Sequence, residues 1–190
     1  ESLRSISIDE NDLSILLELQ LITLKPVMYV CNVEESAVVE GNNHVNILKK
    51  SVENEKAEIL ILGAGIEADI AELDDYDERQ LFLEDLGLKE PGVGKLIKKA
   101  YSLLNLQTYF TAGEKEVRAW TIKKGMTAPE AAGVIHTDFE KGFIKAEVIK
   151  YADYIKYGSE NAVKEAGKLM IQGKEYILSD GDVMHFRFNV

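Results

Sequence analysis

Two apolar runs in the first hundred residues restrict the fold more than any other feature. VMYVCN (27–32) and AEILILGA (57–64) show almost no polar–apolar alternation, which is the pattern of strands covered on both faces in a parallel sheet. Between them, residues 43–56 suit a helix with Val45, Ile47 and Leu48 as its apolar contacts. Strand, helix and strand imply a right-handed βαβ unit. The preceding segment DLSILLELQLITL (12–24) reads as a helix that packs on a core and stops ahead of Lys25-Pro26.

Ligands of such sheets sit beyond the carboxyl ends of the strands, and there fall Asn32 and the Gly63-Ala64-Gly65 turn. An asparagine amide can donate to a purine ring nitrogen and also tie loops together, while the Glu35 carboxylate can accept from an exocyclic amine or ring N–H. A glycine-rich turn lets backbone N–H groups approach a base with no Cβ in the way. The same residues also admit a plainer reading, in which Asn32 turns the chain and Glu34 and Glu35 are solvated. Pro91-Gly-Val-Gly-Lys-Leu96 is no phosphate loop: Lys89 stands where the first glycine is needed, and Leu96 where a magnesium-holding Ser or Thr is needed. It reads as the turn that starts a helix over 93–104. The acidic stretch from Glu67 to Asp85, interleaved with Ile70, Leu73, Leu81, Phe82 and Leu86, suits an amphipathic helix or helix pair with a solvated face.

Charge divides the chain. Residues 1–104 hold 10 Lys and Arg against 21 Asp and Glu, whereas residues 105–190 hold 12 of each, so the net −11 belongs wholly to the first part. A neutral second part can still present a basic face to RNA. No apolar run approaches the about 20 residues of a membrane helix. The single cysteine, Cys31, cannot form an internal disulfide. Both observations favour a cytoplasmic protein without membrane insertion.

From Tyr109 the texture changes. YFTAGEKEVRAWTI reads as a hairpin, Thr127-Ala-Pro-Glu130 as a capping box that opens a helix, and FIKAEVI (143–149), KEYIL (174–178) and DVMHFRFNV (182–190) as strands, the last after a Ser-Asp-Gly-Asp turn. A hairpin, a crossing helix and further strands describe a small mixed sheet wrapped around a helix, the β-grasp arrangement. His136 and Asp138 suit hydrogen bonding at the end of the capped helix, with RNA contact as the alternative, and no second cluster completes a metal site around them. Tyr109, Phe110, Trp120 and Phe143 suit core packing more than base stacking.

The run from Thr108 to Thr121, the run Ala131-Ala-Gly-Val-Ile-His-Thr-Asp-Phe-Glu-Lys-Gly-Phe-Ile-Lys-Ala-Glu-Val148, then Gly173-Lys-Glu-Tyr and Asp180-Gly-Asp-Val closely resemble the C-terminal TGS domain of the YchF family, which are Obg-related P-loop NTPases. Asn32-Val33-Glu34-Glu35 resembles that family's N-x-x-E replacement of N-K-x-D, and Ile66-Glu67-Ala68 follows its second base-contacting turn. Gly63 departs from the serine that relatives often carry.

The resemblance implies an α/β remnant of a P-loop NTPase domain over 1–104, with connecting helices, followed by an α+β β-grasp (TGS) domain over 105–190. It implies a C-terminal piece, because the family's phosphate loop, switches and coiled-coil insertion precede this point. Base contacts are then expected from Asn32, Val33, Glu35, Gly63, Ala64 and Gly65. ATP or GTP with magnesium belongs to the intact protein; this piece carries no catalytic residue, metal or cofactor and is expected to be inactive alone. The TGS part is expected to dock on RNA or the ribosome through Arg118, Lys123, Lys124, Lys141, Lys145 and Arg187, with a protein-interaction module as the alternative. Oligomeric state is not constrained.

Overall fold

The computed structural model describes residues 2–55, 57–113 and 116–189. Lys56, Glu114, Lys115 and Val190, which fall in the expected helix, hairpin and last strand, lie outside the described residues. The chain forms two units, Glu1–Leu104 and Asn105–Val190. Among the described residues, no helix is long and apolar enough to cross a membrane.

In the first unit α1 spans Glu10–Glu18, its N-terminal amides capped by the Asp9 carboxylate. The expectation of one helix through Leu24 is corrected here. Gln20 takes a left-handed backbone (φ 49°) and only a single 3-10 turn, Ile22–Leu24, follows. Nor does this segment pack into a core, since Ile15, Leu17 and Ile22 are exposed. Strand β1 (Met28–Asn32) is followed by α2 (Asn43–Ser51), which ends five residues earlier than the sequence suggests, before a 3-10 turn at Glu53–Glu55. Strand β2 (Glu58–Leu62) then pairs with β1 in parallel, Asn32 opposite Leu62. The two-stranded sheet leaves Val30 46% exposed, so the expected burial on both faces is not seen.

Helices α3 (Ala64–Glu72), α4 (Tyr76–Asp85) and α5 (Gly92–Leu103) complete the unit. Asp75 caps α4 by accepting from the amides of Asp77 and Glu78. Ile66 and Ile70 of α3 pack with Leu83 of α4, Leu88 and Val38. An acidic sequence thus still supplies an apolar seam.

The second unit is a five-stranded mixed sheet. Its elements are β3 (Leu106–Ala112), β4 (Val117–Lys123), α6 (Ala128–Ile135), α7 (Thr137–Lys141), β5 (Phe143–Ile149), α8 (Tyr151–Tyr157), α9 (Glu160–Glu165), β6 (Met170–Gln172) and β7 (Val183–Phe188), with strand order β4-β3-β7-β5-β6. Strands β3 and β7 run parallel; the other neighbours are antiparallel. Residues 174–178 do not form the expected strand. The edge strand is Met170–Gln172, and Ile177 makes one isolated bridge to Thr127.

Small residues let α6 lie close on the sheet: Ala128, Ala131 and Ala132 are fully buried among Tyr109, Phe143, Val148 and Phe186. The Tyr109 hydroxyl donates to the Ala131 carbonyl at 2.9 Å, satisfying the one polar atom this ring carries into the core. Trp120 stacks beside Tyr109 and donates its indole N–H to Thr111 Oγ1. Helices α8 and α9 lie against part of the opposite sheet face, where Tyr151 meets Phe110.

Candidate functional site

The end of β1 and the turn after β2 meet. Asn32 is the last residue of its strand, and its side-chain Oδ1 accepts from the Ala64 N–H, the first residue of α3, at 2.9 Å. Val33 N–H donates to the Leu62 carbonyl at 2.9 Å, continuing the parallel pairing one residue past the strand. Gly63 sits in this junction without a positive φ. A Cβ there would stand 3.2 Å from the Val33 carbonyl oxygen and 3.1 Å from Ile66 Cδ1, so close approach of the two chain ends is what a small residue serves. Gly65 faces open space, with no atom within 4 Å of where a Cβ would sit. Glu35 opens a 3-10 turn (Glu35–Ala37) just beyond β1 and is exposed, as is Asn32.

The structure therefore brings Asn32, Val33, Gly63 and Ala64 into direct contact, sets Gly65 in the first turn of α3, and places Glu35 three residues beyond the strand end. Asn32, Glu35, Ala64 and Gly65 are exposed at this junction, Val33 is half-buried and Gly63 is buried. An asparagine whose oxygen is held by a backbone N–H keeps its amide N–H groups for an incoming acceptor.

Sequence reasoning missed Glu67. Its two carboxylate oxygens accept from the Gly92 N–H at 2.7 Å and the Val93 N–H at 3.0 Å, capping the N-terminus of α5 from one helix away. This explains the glycine in the phosphate-loop look-alike: a Cβ on Gly92 would come 2.7 Å from Glu67 Oε1 and 3.0 Å from Leu62 Cβ. The helix end that a phosphate would need is held by a protein carboxylate.

In the second unit the six basic residues do not share one face. Ile122 is buried on the α6 side, so alternation puts Lys123 on the other. Lys145 and Arg187 face each other across β5 and β7 on that same opposite side. Arg118 is on the α6 side, its guanidinium 4.0 Å over the Trp120 ring. Lys124 follows β4, and Lys141 ends α7. Arg187 donates to Glu147 Oε2 at 3.1 Å, and this hydrogen bond holds the Glu147 carboxyl below its ordinary range.

His136 caps α7, its Nδ1 accepting from the Asp138 N–H at 3.2 Å. Tyr109, Trp120 and Phe143 pack in the core, whereas Phe110 lies on the opposite face in an apolar hollow of about 200 Å³ with Val117, Tyr151, Ile155 and Val183.

The Ser179-Asp-Gly-Asp182 turn does more than reverse the chain. Asp182 is wholly buried, and its carboxylate accepts from Lys150 Nζ (2.7 Å), the Tyr176 hydroxyl (2.7 Å) and the Ser179 N–H (2.9 Å). Burial pulls the Lys150 ammonium down, but hydrogen bonds to Asp182 and Tyr176 outweigh it and raise its pKa above the ordinary value. Such a lysine stays charged at neutral pH and is no general base; the cluster is a clamp.

Residues 106–189 match a family model named YchF-GTPase_C, described as "Protein of unknown function (DUF933)". The chain is 54% identical over 188 residues to the ribosome-binding ATPase YchF of Haemophilus influenzae, covering 99% of this chain and 51% of that protein. It is 52% identical to the protein of the same name from Bacillus subtilis, over 98% of this chain and 51% of that one. The structure of the Schizosaccharomyces pombe YchF GTPase superposes with a TM-score of 0.82 at 36% identity, over 97% of this chain and 49% of that chain. The chain thus spans about half the length of the curated relatives it matches.

Proposed function

Because this chain belongs to the YchF family, we propose that it carries the base-recognition end of a nucleotide-binding domain together with a ribosome-docking module of the TGS, β-grasp type, within a longer ribosome-associated protein that binds and hydrolyses purine nucleotides. The observation that carries the first half of this reading is the Asn32–Ala64 hydrogen bond. It holds the Asn32 amide and the first amides of α3 around one point at the carboxyl end of a parallel strand pair, where a base edge would be read. Asn32, Val33 and Glu35 come from one side of that point, and Gly63, Ala64 and Gly65 from the other. Phosphates and magnesium are left to the rest of the intact protein.

The second unit supplies docking. Lys123, Lys145 and Arg187 belong to the sheet face away from α6, Lys123 at one end of the sheet and the other two toward the opposite end, while Lys124 follows β4, Arg118 lies on the α6 side and Lys141 ends α7. Where they meet ribosomal RNA, each neutralised phosphate releases counterions, and affinity falls steeply with salt. The apolar hollow around Phe110 and Tyr151 favours a second reading, in which this unit docks on a ribosomal protein. Co-sedimentation of the chain with ribosomes across a salt series separates the two. RNA docking gives a steep salt dependence that Lys123→Glu with Lys124→Glu flattens. Binding that ignores both salt and these charges removes RNA contact through this face.

A further inference from the structure

Strand register sets Glu147 of β5 directly opposite His185 of β7. Both lie on the sheet face away from α6, since Val148, Met184 and Phe186 beside them are buried in the α6 core. Glu160, the first residue of α9, reaches the same pair, and one donor atom from each of the three lies within 4.8 Å of the others. All three line a single hollow between α8–α9 and the sheet whose free space is about 10 Å³, and Ile149, Leu169 and Val183 make apolar walls around it. That is room for roughly one water-sized sphere.

One imidazole and two carboxylates on three separate backbone elements form a mixed N/O donor set. Zinc binds such ligands at about 2.0–2.2 Å, which puts the donors about 3–4 Å apart. Long glutamate side chains reach that spacing without moving the strands. Three protein ligands leave a coordination position for water. The imidazole turns the preference toward first-row transition ions and away from magnesium and calcium, which favour oxygen throughout.

Arg187 is the competitor. Its guanidinium occupies Glu147 Oε2 and supplies positive charge that an ion would otherwise supply, while the other oxygen of Glu147 stays available. We propose that Glu147, Glu160 and His185 form a binding site for a divalent transition-metal ion of the zinc class, in competition with Arg187. This site goes beyond the proposed base recognition and shares Arg187 with the proposed docking side.

The test is calorimetric titration of the tag-free, chelator-stripped chain with Zn²⁺ at neutral pH. One zinc binds per chain. His185→Ala and Glu160→Gln each weaken binding at least about tenfold, Arg187→Met tightens it, and His136→Ala leaves it unchanged. Mg²⁺ gives no saturable heat. Glu160 is exposed at a helix start, so Glu160→Gln reads the site even where a strand substitution disturbs the sheet. Absence of zinc binding at micromolar concentration, binding that survives His185→Ala and Glu160→Gln, or equal binding of magnesium overturns the proposal.

Discussion

The Asn32 carboxamide accepts a hydrogen bond from the Ala64 backbone N–H at 2.9 Å, across 32 residues of sequence. One polar side chain therefore ties the end of β1 to the start of α3, beside the backbone bond from Val33 N–H to the Leu62 carbonyl. Asn32→Ala removes the acceptor at an exposed position, at a cost of about 0.5–1.5 kcal/mol. Amide exchange at Ala64 is expected to speed up about threefold to tenfold while exchange within β2 is unchanged. Equal protection in both proteins would show that the bond does not tie the junction in solution.

Glu67 caps α5 through Gly92 and Val93. Glu67→Ala leaves these two amides without that acceptor and costs about 1 kcal/mol. Gly92→Ala acts on the same contact from the other side, because its Cβ displaces the carboxylate. Both variants are expected to expose the amides of residues 92 and 93 to faster exchange, and the double variant should show much less than the sum, since both remove one interaction.

Asp182 is wholly buried, while the Lys150 side chain is 40% exposed. Lys150→Met strands the carboxylate. The expected loss is about 2–3 kcal/mol, below the range for a fully enclosed pair because solvent reaches the lysine. The chain has one tryptophan, Trp120, within the second unit. Its fluorescence in a urea titration reports this unit, and a lower midpoint at constant slope is the expected result. Asp182→Asn should cost less, because the amide oxygen still accepts from Ser179 N–H.

Two carboxylates contribute to the acid dependence of the second unit. A hydrogen bond from Arg187 holds Glu147 below its ordinary value of 4.5, and the Thr127 backbone N–H does the same for Glu130. A folded value below the unfolded one means that the stability is complete above 4.5 and is lost as pH falls through the folded value. The Trp120-monitored urea midpoint should be flat from neutral to about pH 5 and drop below it; Glu147→Gln with Glu130→Gln makes that drop shallower. Lys150 has the opposite sign. Its folded value is raised above 10.5, so its contribution is full below 10.5 and lost at still higher pH.

Elements that announce themselves by local chemistry were legible in the sequence. Strands β1 and β2 were readable from unbroken apolar runs, and α6 from Thr127 and Glu130, whose carboxylate accepts from the Thr127 N–H at 2.7 Å. Features that depend on a distant partner were not. The end of α1 lies inside a continuing apolar pattern and is set by the backbone of Gln20. The edge strand at Met170–Gln172 has three residues and exists through pairing with Val148 and Ala146, while the stronger strand pattern at 174–178 finds only one bridge. Glu67 looked like one more carboxylate on an acidic helix, because its role lies in backbone amides 25 residues away. The approach of His185 to Glu147 is a matter of strand register, which no count of scattered histidines reveals.

The proposed function has Asn32 and Glu35 reading a purine base beside the Gly63–Gly65 turn. Glu35 is one methylene longer than aspartate, and on that reading the added reach is expected to weaken bidentate pairing with guanine by about 1–3 kcal/mol. The most direct measurement is competition between ATP and GTP for the full-length protein that contains this chain, with and without Glu35→Asp. The expected result is that ATP competes at least evenly with GTP, and that Glu35→Asp shifts the ratio toward GTP by about tenfold or more. A hundredfold preference for GTP in the unsubstituted protein, or a ratio that Glu35→Asp leaves unmoved, would contradict the claim.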